Sequence, residues 1–128
     1  MRLAAPFETL HPGWVFGAMQ HEGSLAFRDG DPEFETFKQV SAAVPTIVTV
    51  YLDRPAILSP VTTRARAALA NFGVSDAALM DVITGRAAPE GTLPFELPSS
   101  MEAVAAQRTD VPRDSRQPLY PFGFGRRY

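Results

Sequence analysis

Cysteine is absent from this 128-residue sequence, and histidine is scarce, with only two residues. Without cysteine the chain has no disulfide framework, no thiol nucleophile and no thiolate metal site. The two histidines, His11 and His21, lack the spacing of metal ligands, so we expect no structural metal. The only G-x-G motif lies at residues 123–125, with no helix after it, which argues against a dinucleotide-binding loop. We therefore expect neither a metal nor a cofactor.

Basic stripes and long apolar runs are also missing. The formal net charge is −2, and eleven of the twelve basic residues are arginines scattered along the chain, which argues against a nucleic-acid partner. No segment approaches the roughly 20 apolar residues of a membrane span. The first ten residues lack the apolar centre of a signal peptide. We therefore predict a cytoplasmic protein, with the signal peptide of any longer parent lying upstream.

The sequence that is present is typical of a globular chain, with 45% hydrophobic and 20% charged residues, and its length suits one domain. Its clearest element is TIVTVYL at residues 46–52, a β-branched and aromatic run bounded by Pro45 and Pro55. Because its apolar character is continuous and does not alternate, this run predicts a strand buried on both faces, as in a parallel sheet.

Helical patterns surround this strand. EFETFKQVSAAV at residues 33–44 precedes it, and VTTRARAALANF at 61–72 and SDAALMDVITG at 75–85 follow it. Each repeats apolar residues at helical spacing. Pro60 suits a first helical turn, and Ser75 is a candidate N-cap. The order helix, strand, helix, helix predicts an α/β layer fold.

The predicted sheet is short of strands. A doubly wound sheet normally has about five strands, and this sequence provides one clear strand and one candidate at Arg2–Ala5. A buried parallel strand needs neighbours for its backbone N–H and C=O groups. Two strands and three helices bury little surface to offset chain entropy. We expect the sequence to be the last part of a domain, interrupted inside a strand, and marginal or oligomeric when isolated.

The chain closes with PLYPFGFGRRY, residues 118–128. This tail is too apolar for the frayed terminus that most domains have. We expect Phe122 and Phe124 to be pinned against the domain. Gly123 and Gly125 would allow the backbone to pass closely.

Motifs in this tail and before it resemble family 3 glycoside hydrolases, the β-glucosidase and β-xylosidase group. That family ends its second domain with Gly-x-x-x-Pro-x-Gly-x-Leu-Pro, found here at residues 85–94, and Pro-Leu-Tyr-x-Phe-Gly-x-Gly, found at 118–125. TIVTVYLDRPAIL at 46–58 and LANFGVSDAALMDVITG at 69–85 are similar to two earlier blocks. The resemblance runs from about Leu3 to Tyr128, and it departs at Arg126–Arg127, where members usually carry Leu-Ser.

The resemblance implies a two-domain enzyme that retains anomeric configuration. Its first domain is a barrel with the catalytic Asp nucleophile, and its second is a three-layer α/β/α sandwich with a mostly parallel sheet that walls the sugar pocket. Residues 1–128 would be the C-terminal part of that second domain, with its N-terminal strands and the barrel absent. The assembled enzyme would hydrolyse terminal β-linked glucose, xylose or N-acetylglucosamine. We expect no activity from this chain alone, because the nucleophile is missing.

The partners implied by the resemblance are a barrel domain, separately encoded or missing, and a carbohydrate substrate. An alternative is a non-catalytic interaction or dimerisation module, because an exposed sheet edge invites pairing and favours a homo-oligomer. An unrelated small α/β enzyme is a further alternative, and the lack of a G-x-S-x-G elbow argues against it.

Many members of the family take their acid/base Glu from this domain, in a loop after a strand. Glu8 follows the candidate strand and is the candidate acid/base, and Glu22 is a second candidate near the pocket. His21 and Trp14 are candidate substrate contacts, because an imidazole can bond a hydroxyl and an indole can stack on a pyranose. Each residue also has an ordinary interpretation, as a solvated loop residue or a packed ring.

Asp53 and Arg54 follow the predicted strand directly. Open α/β sheets bind ligands at the carboxyl ends of their strands. An Arg-Pro pair also suits the ordering of a turn, and we favour that role for Arg54.

Overall fold

The computed structural model describes Met1 and residues 25–126. Helices and strands follow the chain in the order α1 Pro32–Ala43, β1 Ile47–Tyr51, α2 Ser59–Thr62, β2 Ala67–Asn71, α3 Asp76–Ile83 and α4 Met101–Ala105. The candidate strand at Arg2–Ala5 lies outside the described residues. None of the helices in this described part is long and apolar enough to cross a membrane.

The two strands form a parallel sheet. Their register pairs Ile47 with Ala67 at one end and Tyr51 with Asn71 at the other. A parallel connection needs a crossover, and the segment that contains α2 provides it. The predicted α/β class with a few-stranded parallel sheet is confirmed.

Met1 lies on the other edge of β1. Its ammonium group donates to the Thr49 carbonyl at 2.9 Å, and its carbonyl accepts from the Tyr51 amide at 2.8 Å. This is the hydrogen-bond pattern of a parallel bridge. Met1 therefore bonds to the edge of β1 that lies opposite β2.

The hydrophobic core joins α1 to one face of β1. Phe34 and Phe37 come from α1, with stacked rings 6.4 Å apart, and Phe27 stacks on Phe34 at 5.8 Å. Val48 and Val50 come from the strand. Fully burying one such side chain contributes about 1.5–3 kcal/mol, so this cluster orders the chain. Later segments complete it with Leu52, Ala56, Leu58, Val61, Leu93 and Leu97.

The prediction that β1 is buried on both faces is wrong for this chain. Val48 and Val50 are 7% and 1% exposed, whereas Ile47 and Tyr51 on the other face are 48% and 37% exposed. A continuous apolar strand is typical of a sheet covered on both sides. The described part of the chain covers one side only.

The helix predicted over residues 61–72 is wrong for most of its length. α2 ends at Thr62, and Ala67–Asn71 forms β2 instead. The Arg66 amide donates to the Thr46 carbonyl, and the Leu52 amide donates to the Asn71 carbonyl, both at 2.8 Å. These long-range bonds outweigh the helix preference of alanine, because propensity is a weak determinant beside tertiary pairing.

The predicted starts of two helices are confirmed. α1 covers nearly the whole predicted segment and has proline in its first turn. At α3, the Ser75 hydroxyl accepts from the Ala78 amide at 3.4 Å, which satisfies one of the free N–H groups of the first turn.

The C-terminal strap, residues 118–125, pairs with residues 93–97. Leu97 and Tyr120 form an antiparallel bridge. The Leu93 amide donates to the Phe124 carbonyl, and the Gly123 amide donates to the Leu93 carbonyl, both at 2.9 Å. The rings of Tyr120 and Phe124 lie 4.6 Å apart and pack against the core. The expectation that Phe124 is pinned against the domain is confirmed.

Phe122 is held differently. Its side chain is 45% exposed, and the guanidinium carbon of Arg113 lies 3.4 Å from the ring centroid. This cation–π contact fixes the ring at the surface. Phe122 does not pack against the core as Phe124 does, so the expectation that Phe122 is pinned against the domain is wrong.

Candidate functional site

The four site residues predicted from the sequence, Glu8, Trp14, His21 and Glu22, lie outside the described residues. Their roles stay predictions. The described residues that meet the physical criteria for a ligand site lie at the carboxyl end of the sheet.

The carboxyl ends of β1 and β2 meet at one edge, because the strands are parallel and Tyr51 pairs with Asn71. We call this the carboxyl edge and define it by Tyr51, Asp53, Arg54, Asn71 and Phe72. Open α/β sheets bind ligands at this end because loops, not further strand, follow each residue there. The sequence placed Asp53 and Arg54 at this edge, and the structure adds the residues that follow β2.

The turn after β2 is built around Asn71. Its side-chain Oδ1 accepts from the Gly73 amide at 3.3 Å, and its Nδ2 reaches the Val50 carbonyl at 3.5 Å. Gly73 has φ +101°, a conformation that glycine adopts without steric cost. This turn follows directly on the last residue of β2.

Phe72 is one of the exposed aromatic side chains at this edge, 47% exposed. Its ring lies 5.8 Å from that of Phe95 in an edge-to-face arrangement with an interplanar angle of 80°. Tyr51 is close by, because a Cβ atom at Gly73 would lie 3.8 Å from Cε2 of its ring. The edge-to-face pair holds Phe72 in one orientation with much of its ring open to solvent.

Phe95 is positioned by the segment that pairs with the strap. Leu93 and Leu97 flank it and are 8% and 1% exposed. Glu96 accepts from the Ser115 amide at 3.0 Å and from Nε2 of Gln107 at 3.2 Å. Together with the backbone bonds of Leu93 and Leu97 to the strap, these contacts hold the segment on either side of the Phe95 ring.

Of the two charged residues at the carboxyl edge, one is buried and the other is exposed. Arg54 is 2% exposed, and Asp53 beside it is exposed. A guanidinium is costly to bury unless polar groups surround it, so Arg54 is an integral part of this edge. This burial agrees with the turn-ordering role that the sequence favoured. The side chain of Asp53, by contrast, is exposed to solvent.

The carboxyl edge therefore offers an exposed carboxylate, an amide side chain and open aromatic faces. Carboxylates and amides bond hydroxyl groups, and aromatic rings cover apolar C–H surfaces. This combination suits a polyhydroxylated ring compound. In Met1 and residues 25–126, no group of three or more His, Asp or Glu side chains could hold a metal ion.

Sequence reasoning missed Asn71, Phe72 and Phe95 as candidate ligand contacts. The misassigned helix over residues 61–72 placed the first two on a helix. An Asn-x-Gly sequence directly before a capped helix is the signal that would have revealed the turn. Phe95 had no such local signal, because its contact with Phe72 joins distant parts of the chain.

Residues 21–128 match the family described as the glycosyl hydrolase family 3 C-terminal domain. The chain is 51% identical over 125 residues to the periplasmic β-glucosidase/β-xylosidase of Dickeya chrysanthemi. The aligned region covers 98% of this chain and 19% of that protein. It is 47% identical over 128 residues to the probable β-glucosidase C of Aspergillus oryzae, covering all of this chain and 19% of the relative. The chain thus spans about a fifth of the length of these relatives.

Solved structures share the fold. The β-glucosidase of Listeria innocua in complex with glucose aligns with a TM-score of 0.62 at 18% identity, over 77% of this chain and 17% of that one. Its complex with isofagomine aligns with a TM-score of 0.60 at 20% identity, over 75% and 17% of the two chains. At this identity the likeness concerns the fold alone.

Proposed function

The chain belongs to the C-terminal domain family of the family 3 glycosyl hydrolases, and we propose that it acts as one wall of the sugar pocket in a retaining β-glycosidase. The resemblance found in the sequence is confirmed at the level of the family. The names of the relatives, a β-glucosidase/β-xylosidase and β-glucosidases, favour terminal β-linked glucose or xylose over N-acetylglucosamine as the substrate.

The carboxyl edge is the observation that supports a role in the pocket. Asp53 and Asn71 can bond sugar hydroxyls, and the open ring of Phe72 can pack on the C–H face of a pyranose. Phe95 holds that ring from behind at 5.8 Å. In this proposal the edge faces the catalytic domain and closes the pocket from one side.

The chemistry needs two carboxyl groups about 5–5.5 Å apart, one as nucleophile and one as acid/base. We assign the nucleophile to the part of the relatives that this chain does not span. Glu8 is the proposed acid/base, and Glu22, His21 and Trp14 are proposed substrate contacts. The chain alone would then be inactive, because a lone acid/base cannot form the glycosyl-enzyme intermediate.

Hydrolysis of β-glucosides and β-xylosides tests this proposal, with the chain alone and with the chain in the context of a complete family 3 enzyme. We expect activity only in the second case. Turnover by the chain alone would show that the nucleophile lies within these 128 residues. It would overturn the assignment.

Glu8→Gln tests the acid/base role through the leaving group. Dinitrophenolate departs without protonation, whereas an alkoxide needs a proton from the acid. We expect kcat/KM for an alkyl β-glucoside to fall by about 10²–10⁴-fold and that for 2,4-dinitrophenyl β-glucoside to fall far less. Glu90→Gln, at an exposed position, is the matched control. Equal losses on both substrates would contradict the role of Glu8.

Phe72→Ala tests the wall, with Phe72→Tyr as the conservative control. Loss of the ring is expected to raise KM by about 5–50-fold, within the usual range for an aromatic contact, and to leave the pH profile unchanged. An unchanged KM would place Phe72 outside the pocket.

One relative is named as periplasmic, so the cytoplasmic location stays a prediction for cell fractionation to test.

A further inference from the structure

One edge of β2 is unpaired among the described residues, and we call it the outer edge. β1 pairs with its inner edge, and no strand or bridge in the described part of the chain pairs with the other. The Asn71 carbonyl accepts from the amide of Leu52, the residue directly after β1. Because backbone groups alternate along a strand, the odd-numbered residues of β2 face β1, and the N–H and C=O groups of Ala68 and Ala70 point outward.

Nothing on β2 protects this edge. Natural edge strands are commonly blunted by lysine, proline or a bulge. The sequence of β2 is AALAN, and both outward-facing residues, Ala68 and Ala70, are exposed alanines. Methyl side chains let another backbone approach closely and do not repel it. The edge is therefore suited to pairing.

We propose that β2 pairs in antiparallel orientation with β2 of a second copy of this chain, about a two-fold axis at Leu69. A two-fold axis lets one surface serve both subunits. In this register Ala68 lies opposite Ala70 of the partner subunit, and the two residues exchange both hydrogen bonds. All outward-facing groups of the two strands are then satisfied.

The flanks of β2 favour a second copy over an unrelated strand, because their charges are complementary to each other. Arg64 and Arg66 precede the strand and are exposed. Asp76 follows it at the start of α3 and is also exposed. In this register Arg66 lies opposite Phe72 and Arg64 opposite Val74 of the partner subunit, so the positive flank of one copy runs toward the Asp76 carboxylate of the other, twice in each dimer.

The dimer is weak in this proposal. β2 has five residues, so the paired surface is smaller than the roughly 1,200–2,000 Å² buried by standard interfaces. We expect a dissociation constant on the order of 10–100 μM. The inference concerns this chain alone and does not depend on its enzymatic role.

Introduced thiols test the register directly, because the sequence contains no cysteine. Leu69→Cys places two thiols opposite each other at the axis, where Cα atoms of such a pair lie about 4.5 Å apart, within disulfide range. Ala67→Cys is the matched control on the same strand, with its two thiols about 13 Å apart. Under mild oxidation we expect a covalent dimer from Leu69→Cys and monomer from Ala67→Cys.

Charge variants test the association in solution by sedimentation equilibrium from about 1 μM to about 1 mM chain. Ala70→Lys and Ala70→Glu each place like charges diagonally across the axis, and we expect each to weaken self-association about 1.5- to 5-fold. An equimolar mixture is expected to restore it, which misfolded variants could not do. A parent chain that stays monomeric throughout, equal cross-linking of both cysteine variants, or no rescue in the mixture would overturn the proposal.

Discussion

Replacing Gly125 by alanine is expected to detach the strap from the domain. A Cβ atom at this position would lie 2.6 Å from the Gly91 carbonyl oxygen and 3.1 Å from Cγ2 of Thr92. Because ordinary contact begins at 3.4 Å, the two segments must move apart by nearly 1 Å. The bonds of Leu93 with Phe124 and Gly123, now 2.9 Å each, would then exceed hydrogen-bond distance.

The cost follows from these contacts. Overpacking a tight contact costs about 1–3 kcal/mol, and each lost hydrogen bond costs about 1 kcal/mol. Since the segments either clash or separate, these costs do not add fully. We expect the free energy of unfolding to fall by about 2–4 kcal/mol. Urea unfolding of the purified chain measures it, and the melting temperature should drop by about 4 °C for each kcal/mol.

Substitutions at two other glycines distinguish the effect of the steric clash from the effect of backbone strain. Gly91 faces the same contact but has no atom within 4 Å of a Cβ, so Gly91→Ala should be neutral or stabilising by up to about 1 kcal/mol. Gly123 has free space but φ +75°, so Gly123→Ala isolates backbone strain of about 1–2 kcal/mol. If Gly125→Ala is as stable as Gly91→Ala, the close passage of the strap is refuted.

Glu96→Ala is expected to lower the free energy of unfolding by about 1–3 kcal/mol, because the Ser115 amide and the Gln107 side chain lose their acceptor. Glu96→Gln keeps one carbonyl oxygen and should lose less in the same urea titration. Ser75→Ala should cost about 1 kcal/mol by removing the cap of α3, and Ser75→Asp should restore it. Stability should also fall as the pH drops below about 4, because the hydrogen bond from Arg108 lowers the pKa of Asp114. A carboxyl with a lowered pKa in the folded state stabilises above its unfolded pKa, and this is lost as the pH falls through the folded value. Asp114→Asn should give a shallower decline of the urea midpoint between about pH 7 and pH 3.

Local signals made α1, β1 and the cap of α3 predictable. The run at residues 46–52 has few alternatives to a strand, and Ser75 precedes an apolar helical repeat. β2 was not predictable in this way, because AALAN has no clear period and alanine favours a helix when isolated. Its strand conformation comes from hydrogen bonds to β1, which lies far away in the sequence.

The residues of the candidate site also differ in whether a local sequence pattern predicts them. Asp53 follows a recognisable strand, so its place at the carboxyl edge could be predicted. Phe72 depends on β2 and on its contact with Phe95, and neither is encoded in a local pattern. Glu8 was inferred from the family resemblance and lies outside the described residues.

β1 is not buried on both faces as its sequence predicts, and this difference bears on what covers the strand. Its sequence is apolar on both faces, yet Ile47 and Tyr51 remain 48% and 37% exposed. Burying apolar side chains stabilises a protein by about 25 cal/mol for each Å² removed from water. Apolar residues on an exposed face do not provide this stabilisation. Among the described residues, nothing covers this face of β1. A larger assembly would cover such a surface, and the relatives of this chain are about five times its length.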